Sequence, residues 1–375
     1  MNKSYRIIPC YSGDVSGVCS ALYELGGMVV IHDPSGCNST YNTHDETRWY
    51  KQDSLIFISG LKERDAIMGN DEKFINDIIA AAQVHYPKFI AICSSPIPYI
   101  NGTDFKGICK LVEERTGIPT FFVETNGMHD YSVGAGEALK QIALRFTNPH
   151  VAPIPHSVNI LGMTPLDYNY DETIDSLYKW LNRNGWKVNS CWAMRSSLEE
   201  LALAGRASVN LVVSASGYAV AEVLREKFGT PFVCGVPIVH FEQNLLSALD
   251  EAAISGISSV PYANRQNRKM RDVVLIGDPV VMGSVAAAVS NKFGDTCTVI
   301  CPLEANENLL GSADHFVVGE EEAEAYLKHA TVVAADPLYR PICNPLAKFY
   351  NLPHQAFSGR CTWKNRFNIF EVDIK

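Results

Sequence analysis

The sequence predicts an α/β chain of three open parallel sheets flanked by helices. Three observations carry this. Short apolar runs alternate with amphipathic stretches of helical length from end to end, the pattern of repeated strand–helix–strand units. A length of 375 residues exceeds what one hydrophobic core organises, so two or three domains are expected. Two breaks then divide the chain. One is Asn148–Pro155, with prolines at 149, 153 and 155, and the other is the polar, basic stretch Asn264–Arg271. The resulting domains are residues 1–150, 151–264 and 265–375.

In the first domain Met28–His32, Ser54–Ser59, Lys88–Cys93 and Thr120–Val123 read as strands. Val15–Leu25, Glu72–His85, Phe105–Thr116 and Val133–Phe146 read as helices. Asp104 stands where an N-cap belongs, and Gly117-Ile-Pro119 stops the helix it opens. The second domain runs through strand Val158–Gly162, a helix over about 171–184, strand Asn210–Ser214, helix Tyr218–Phe228, strand Pro231–Cys234 and helix Glu242–Ile254. The third opens with strand Asp272–Ile276, the turn Gly277-Asp-Pro279 and helix Val280–Phe293. Strand Thr298–Cys301, a helix near Glu320–Lys328 and strand Thr331–Ala335 follow. Three Rossmann-like units of similar size are the simplest arrangement.

Composition excludes several function classes. Hydrophobic residues make up 47% and charged residues 19%, an ordinary soluble globular balance. No apolar run approaches the roughly 20 residues that span a bilayer, and no apolar h-region follows the N-terminus, so a cytoplasmic protein is expected. The net charge of −9 argues against nucleic-acid binding. There is no Gly-x-x-x-x-Gly-Lys-Ser/Thr, no Gly-x-Gly-x-x-Gly after a strand, no Gly-x-Ser-x-Gly and no Cys-x-x-Cys. Gly277–Ser284 resembles a phosphate loop but lacks the lysine, and reads as a strand-to-helix turn.

The eleven cysteines are too scattered for a disulfide framework. Cys19, Cys109, Cys191, Cys234 and Cys297 read as core residues. Cys301, Cys343 and Cys361 border proline or loop sequence and stay open. Cys10, Cys37 and Cys93 differ: each sits beside Gly or Pro where a predicted strand or loop meets a helix. Open α/β sheets bind ligands outside the carboxyl ends of their strands, and thiolates gathered there select iron–sulfur clusters or zinc. Cys10 lies just ahead of a helix starting near Asp14, where the dipole favours a thiolate. Gly36 lets backbone approach a bulky group beside Cys37.

These stretches resemble the nitrogenase component 1 family, which includes the molybdenum–iron protein subunits, their cofactor-assembly relatives and the protochlorophyllide reductases. The matching segments are Cys10-Tyr-Ser-Gly, then Gly27–Cys37 ending His32-Asp-Pro-Ser-Gly-Cys37, which looks like the family's His-Gly-Pro-x-Gly-Cys. Asp53–Gly69 follows, and then Tyr86–Cys93 leading into Ile100-Asn-Gly102-Thr-Asp104. Asn210–Ser216 through Phe228–Pro231 is similar to the family's second domain, and Ala335–Arg340 with Leu352–Gly359 to its third. The resemblance implies that Cys10, Cys37 and Cys93 hold an iron–sulfur cluster, [4Fe–4S] or larger, at a subunit interface. The family's third cysteine lies six residues before the Gly of Ile-Gly-Asp-Asp; here Pro96 stands six before Gly102 and Cys93 nine before. The catalytic subunit's cofactor cysteine is matched by Ser214, and His354 is the nearest counterpart of its cofactor histidine, without the surrounding pattern. Dinitrogen reduction is therefore not expected.

Among other candidates, His32 reads equally as a motif residue or a hydrogen-bonded structural one. The run Tyr41–Trp49, with His44, Asp45, Glu46 and Arg48, supplies protons or binds an anion in one reading and is a solvated loop in the other. Glu63, Asp65 and Asp104 read as surface or capping groups, and Arg265–Arg271 as a solvated linker. The resemblance implies an oxidoreductase subunit that takes electrons from an ATP-dependent reductase resembling the nitrogenase iron protein. It also implies dimerisation, with a copy or a related chain, to complete the cluster site. A non-catalytic scaffold for metallocluster or tetrapyrrole assembly and a metal-free Rossmann-type enzyme or binding protein are the alternatives.

Overall fold

The computed structural model describes residues 6–7, 12–34, 46–49, 51–168, 171–265, 270–294, 296–359 and 368–371. In chain order α1 (Asp14–Leu22), β1 (Met28–His32), β2 (Leu55–Ile58), α2 (Glu63–Met68), α3 (Asp71–His85), β3 (Ile90–Ser94), α4 (Pro96–Ile100), α5 (Phe105–Thr116), β4 (Thr120–Val123) and α6 (Tyr131–Phe146) build the first sheet and its helices. The second comprises β5 (Ile154–Leu161), α7 (Asp171–Arg183), β6 (Lys187–Cys191), α8 (Leu198–Leu201), β7 (Ala207–Val212), α9 (Tyr218–Phe228), β8 (Phe232–Cys234) and α10 (Glu242–Ser255). The third comprises β9 (Met270–Ile276), α11 (Pro279–Phe293), β10 (Thr296–Cys301), β11 (His315–Phe316), α12 (Glu320–Leu327), β12 (Val332–Ala335), β13 (Lys348–Asn351) and α13 (Gln355–Ser358).

Strand orders are β2-β1-β3-β4, β6-β5-β7-β8 and β11-β10-β9-β12-β13, and every named pair is parallel. Three helix-flanked parallel sheets are therefore present, as the alternation of apolar runs and helical stretches predicts. Central strands such as Met28–His32 and Ile90–Ser94 are buried along their whole length, which is why they read as continuous apolar runs. The strands without such a run are β6, β11 and β13, and all three lie at sheet edges. An edge strand of a parallel sheet needs less apolar cover, so Lys187-Val-Asn-Ser-Cys carries no clear signal.

Both predicted breaks are shorter than expected. Strand β5 starts at Ile154, and Pro155 lies inside it. Proline has no N–H for the ladder, so the register with β7 shifts between Ile154 and Val158, where His156 takes a φ of 51°. In the second break β9 already starts at Met270, and Arg265 is not solvated. Its guanidinium is 4% exposed and ion-paired with Asp314, itself 1% exposed, which also accepts Val299 N–H and Gly311 N–H at 2.9 Å each. This buried pair ties the segment after α10 to the third sheet.

The helices that carry the assembly meet through small residues. A Cβ on Gly17 of α1 would lie 2.0 Å from the Tyr131 carbonyl oxygen, and one on Gly134 of α6 would lie 1.9 Å from the Asp14 carbonyl oxygen. The other side of α6 packs on α9, with Gly136 near Ala219 and the Ser216 carbonyl. Helix α6 thus packs on α1 and β4 of the first unit and on α9 of the second. Gly134→Ala is expected to lower the unfolding free energy in urea by about 3 kcal/mol, the upper range for overpacking. Gly13→Ala, where a Cβ meets nothing closer than 3.7 Å, should stay within about 0.5 kcal/mol.

Candidate functional site

Each sheet has one point where successive strands leave in opposite directions: between β1 and β3, between β5 and β7, and between β9 and β12. Ligands of open α/β sheets bind outside the carboxyl ends of the strands at such points. The chain leaves the strands there as His32-Asp33-Pro34 and Ser94-Ser95, as Gly162 and Val213-Ser214, and as Gly277-Asp278 and Asp336.

Cys10 and Cys37 lie outside the described residues. Cys93, the third candidate ligand, sits on β3 between Ile31 and Val123 and is fully buried. Burial pushes its thiol well above the usual range, with Cys19 and Asp14 adding to the effect. Its side chain belongs to the same core cluster as Val29, Ile31, Ala91 and Val123. At the same strand end Ser94 exchanges hydrogen bonds with Thr125, and the Ser95 N–H donates to the His32 carbonyl at 3.3 Å. The Ser95 hydroxyl is buried and has no hydrogen-bond partner. It is the one orphaned polar side chain at this end of the first sheet among the described residues.

His32 proves structural. It stacks on Phe74 at 4.0 Å and shares a 2.8 Å hydrogen bond with the Ser59 hydroxyl, and burial pushes its pKa down to about 4. Of the run Tyr41–Trp49, His44 and Asp45 lie outside the described residues. Glu46 and Arg48 form a clamp that is neither solvated nor poised for chemistry. Arg48, 11% exposed, pairs with Glu46 at 2.8 Å and Glu24 at 2.9 Å, donates to the Ala193 and Ser20 carbonyls, and lies over the Tyr23 ring. Asp104 caps α5 by accepting Gly107 N–H, and Gly117 ends that helix in the left-handed conformation. Cys19, Cys109, Cys191, Cys234 and Cys297 are buried core residues, as is Cys301. Cys343 is half-buried, and Cys361 lies outside the described residues.

A cleft of about 580 Å³ opens where the carboxyl ends of the three sheets meet, lined by Tyr99, Glu124, His129, Glu137, Tyr218, Glu222 and Glu304, with Gly136, Ala215 and Ala219 among its small residues. His129 Nδ1 and Glu304 Oε2 lie 2.6 Å apart. Sequence reasoning missed these residues, although a signal existed: Glu124 directly follows β4, and Glu304 follows β10 by three positions. The lining holds four carboxylates, one imidazole and no thiol. Ser214 is buried behind it, its hydroxyl donating to the Gly162 carbonyl at 2.7 Å.

Behind this wall the switch points of the second and third sheets meet through Asp278. Its Oδ1 accepts Val280 N–H and Val281 N–H, capping α11, while Oδ2 accepts Ala215 N–H at 2.7 Å from the second sheet. The phosphate-loop look of Gly277–Ser284 therefore comes from a strand-to-helix turn. Nearby, Asp167 accepts the Tyr131 hydroxyl at 2.6 Å and the Thr164 hydroxyl at 2.7 Å, and His354 Nε2 lies 3.5 Å away. Burial pushes the Asp278 carboxyl up to about 7, with the Asp167 charge adding to it. A raised carboxyl pKa stabilises the fold fully below the ordinary carboxylate value, and that contribution is lost as pH rises through about 7. The thermal midpoint is expected to fall between about pH 5 and about pH 8, and Asp278→Asn should flatten this slope while costing about 1–3 kcal/mol through the Ala215 contact; an unchanged slope contradicts the assignment.

Residues 16–290 match the family model described as nitrogenase component 1 type oxidoreductase. The chain is 24% identical to the nitrogenase iron-molybdenum cofactor biosynthesis protein NifE of Methanococcus maripaludis over 217 residues, covering 54% of this chain and 43% of that protein. It is 23% identical to the cofactor biosynthesis protein NifN of Bradyrhizobium diazoefficiens over 298 residues, covering 70% of this chain and 61% of that one. The chain thus spans less than two thirds of either relative's length. A solved structure described as nitrogenase Cp1 at pH 5 aligns with a TM-score of 0.60 at 16% identity, over 88% of this chain and 73% of that chain, which shows a shared fold. The match covers well over half the sequence, and the chain belongs to the nitrogenase component 1 family.

Proposed function

We propose that this member of the nitrogenase component 1 family is an iron–sulfur oxidoreductase subunit. It accepts electrons from an ATP-dependent reductase resembling the nitrogenase iron protein and reduces a ligand, other than dinitrogen, held in the acidic cleft. The observation that carries the reading is the position of the cleft. It opens at the carboxyl ends of all three sheets, and Tyr99 in its wall lies four residues beyond Ser95 at the cysteine-bearing end of the first sheet. Cys10 and Cys37 are the proposed thiolate ligands, with the segment Cys93–Ser95 supplying the third contact. An iron–sulfur cluster of [4Fe–4S] type or larger, held there, supplies one-electron transfer. Dimerisation with a copy or a related chain completes the ligand set, in a reducing cytoplasm.

The chain's own residues then have separate tasks. The small side chains of Gly136, Ala215 and Ala219 leave the cleft open. The hydrogen-bonded pair His129–Glu304 is a device for delivering a proton to a bound ligand. Exclusion of dinitrogen is supported by the thiol-free lining and by the Ser214 hydroxyl, which is already engaged by Gly162. A second reading, a non-catalytic holder for a metallocluster or tetrapyrrole, is favoured by the cofactor-biosynthesis names of NifE and NifN.

Anaerobic purification is expected to give a brown protein containing iron and acid-labile sulfide, lost in Cys10→Ala and Cys37→Ala. A colourless protein after reconstitution defeats both readings and leaves a metal-free binding protein. Reductase, MgATP and a reductant should reduce the cluster, and its reoxidation should depend on the cleft ligand. Ala219→Trp, which fills part of the cleft, is expected to slow that reoxidation at least tenfold with iron content unchanged. A ligand that copurifies and leaves unreduced for an acceptor supports the scaffold instead.

A further inference from the structure

We infer that the ligand of the cleft is an organic cation, an ammonium or guanidinium compound that also carries an oxygen acceptor. A carboxylate-bearing tetrapyrrole or a sulfide-rich metal cluster does not suit it. The inference deepens the reading above and rests on its assignment of the cleft as the ligand site.

The four carboxylates of the wall are unequally paired. Glu137 meets Lys140 at 2.9 Å and accepts a hydrogen bond from Gln141 at 2.7 Å, and Glu304 is engaged by His129. Glu222 comes only within 3.9 Å of Arg225, and both side chains are exposed, so that pair contributes little. Glu124 is exposed and forms no hydrogen bond or ion pair among the described residues. Two carboxylates therefore line the cleft without a close cation, Glu124 from the first unit and Glu222 from the second.

Asn126 points to a ligand independently. It lines the same cleft, is 9% exposed, and holds its Oδ1 on the Met128 N–H at 2.8 Å. Its Nδ2 has no partner among the described residues. Thr125, between Glu124 and Asn126, turns inward and exchanges hydrogen bonds with Ser94. Glu124 and Asn126 are thereby left together on the cleft side of the loop after β4. A nearly buried amide donor beside an unpaired carboxylate is matched by one molecule that brings a cation and an oxygen acceptor. Tyr99 and Tyr218 add two aromatic rings to the lining, and ring faces attract ammonium and guanidinium groups. An anionic occupant would set like charges against Glu124 and Glu222 and be repelled. The volume of about 580 Å³ lies within the range of small-molecule sites.

The test measures binding to the full chain, purified anaerobically, by isothermal titration calorimetry at low ionic strength. The probes are tyramine and 3-(4-hydroxyphenyl)propionate, which share a phenol and a two-carbon arm and differ in ending on an ammonium or a carboxylate. Tyramine is expected to bind at least about tenfold more tightly. 2-Phenylethylamine, which lacks the phenol oxygen, should bind about threefold more weakly than tyramine or worse. Glu124→Lys, at an exposed position, should keep the unfolding midpoint and abolish the preference for the cation; Glu222→Lys serves if that variant fails to fold. Equal or tighter binding of the carboxylate, no saturable binding of tyramine, or an unchanged preference in a folded lysine variant overturns the inference. Equal binding of 2-phenylethylamine overturns the acceptor requirement. A wild type that carries no iron yet prefers tyramine defeats the electron-transfer reading and leaves this inference standing, whereas an iron-loaded wild type that prefers the carboxylate defeats this inference alone.

Discussion

The close approach of α1 and α6 is the contact on which the site depends. Glycines at 17 and 134 let the two helices meet backbone to backbone, and no other residue leaves room for the Tyr131 and Asp14 carbonyls. The consequences spread in three directions from the start of α6. Tyr131 reaches Asp167 of the second unit, Asp130 accepts Glu304 N–H of the third at 2.6 Å, and Gly136 faces Ala219 of α9. One helix thereby fixes the positions of all three sheets, and the cleft is the space left between their carboxyl ends.

Buried carboxylates do the rest of this work. Asp14, Asp130, Asp278, Asp314 and Asp336 are each nearly or fully buried, and each accepts backbone N–H groups from loops at strand ends or helix starts. A parallel sheet leaves its loops crowded on one side, where backbone donors have no ladder partner and would be costly to bury. A short carboxylate beside several N–H groups satisfies two or three at once. Asp336 shows this by binding Leu338 N–H, His354 N–H and the Ser358 hydroxyl. The same arrangement explains why His354, the nearest counterpart of a cofactor ligand, sits in a small acidic cavity behind the cleft wall.

The cleft and the cysteine-bearing end of the first sheet are chemically distinct neighbours. The cleft is lined by carboxylates with a single imidazole, suited to moving protons. The strand end at Ser95 is buried and carries the orphaned hydroxyl. Segment Ser95–Tyr99 joins them within one turn of helix, so the two places are held close by covalent structure alone.

By itself the sequence determined the sheets, their parallel sense and the family, because buried parallel strands must be apolar along their whole length and the loops after them need Gly, Pro and Asp. It also placed the caps of α5, which are local interactions within four residues. It did not reveal edge strands such as β6, whose cover is too slight to leave an apolar run. Nor did it distinguish Arg48 and Arg265 from solvated charges, since their partners lie far along the chain. The tertiary structure alone decided which face Cys93 occupies, that Glu124, Glu137, Glu222 and Glu304 share one cleft, and that Asp278 meets Ala215. Each of these depends on how the three sheets and their helices pack against one another, and pattern within a strand or helix carries no record of that.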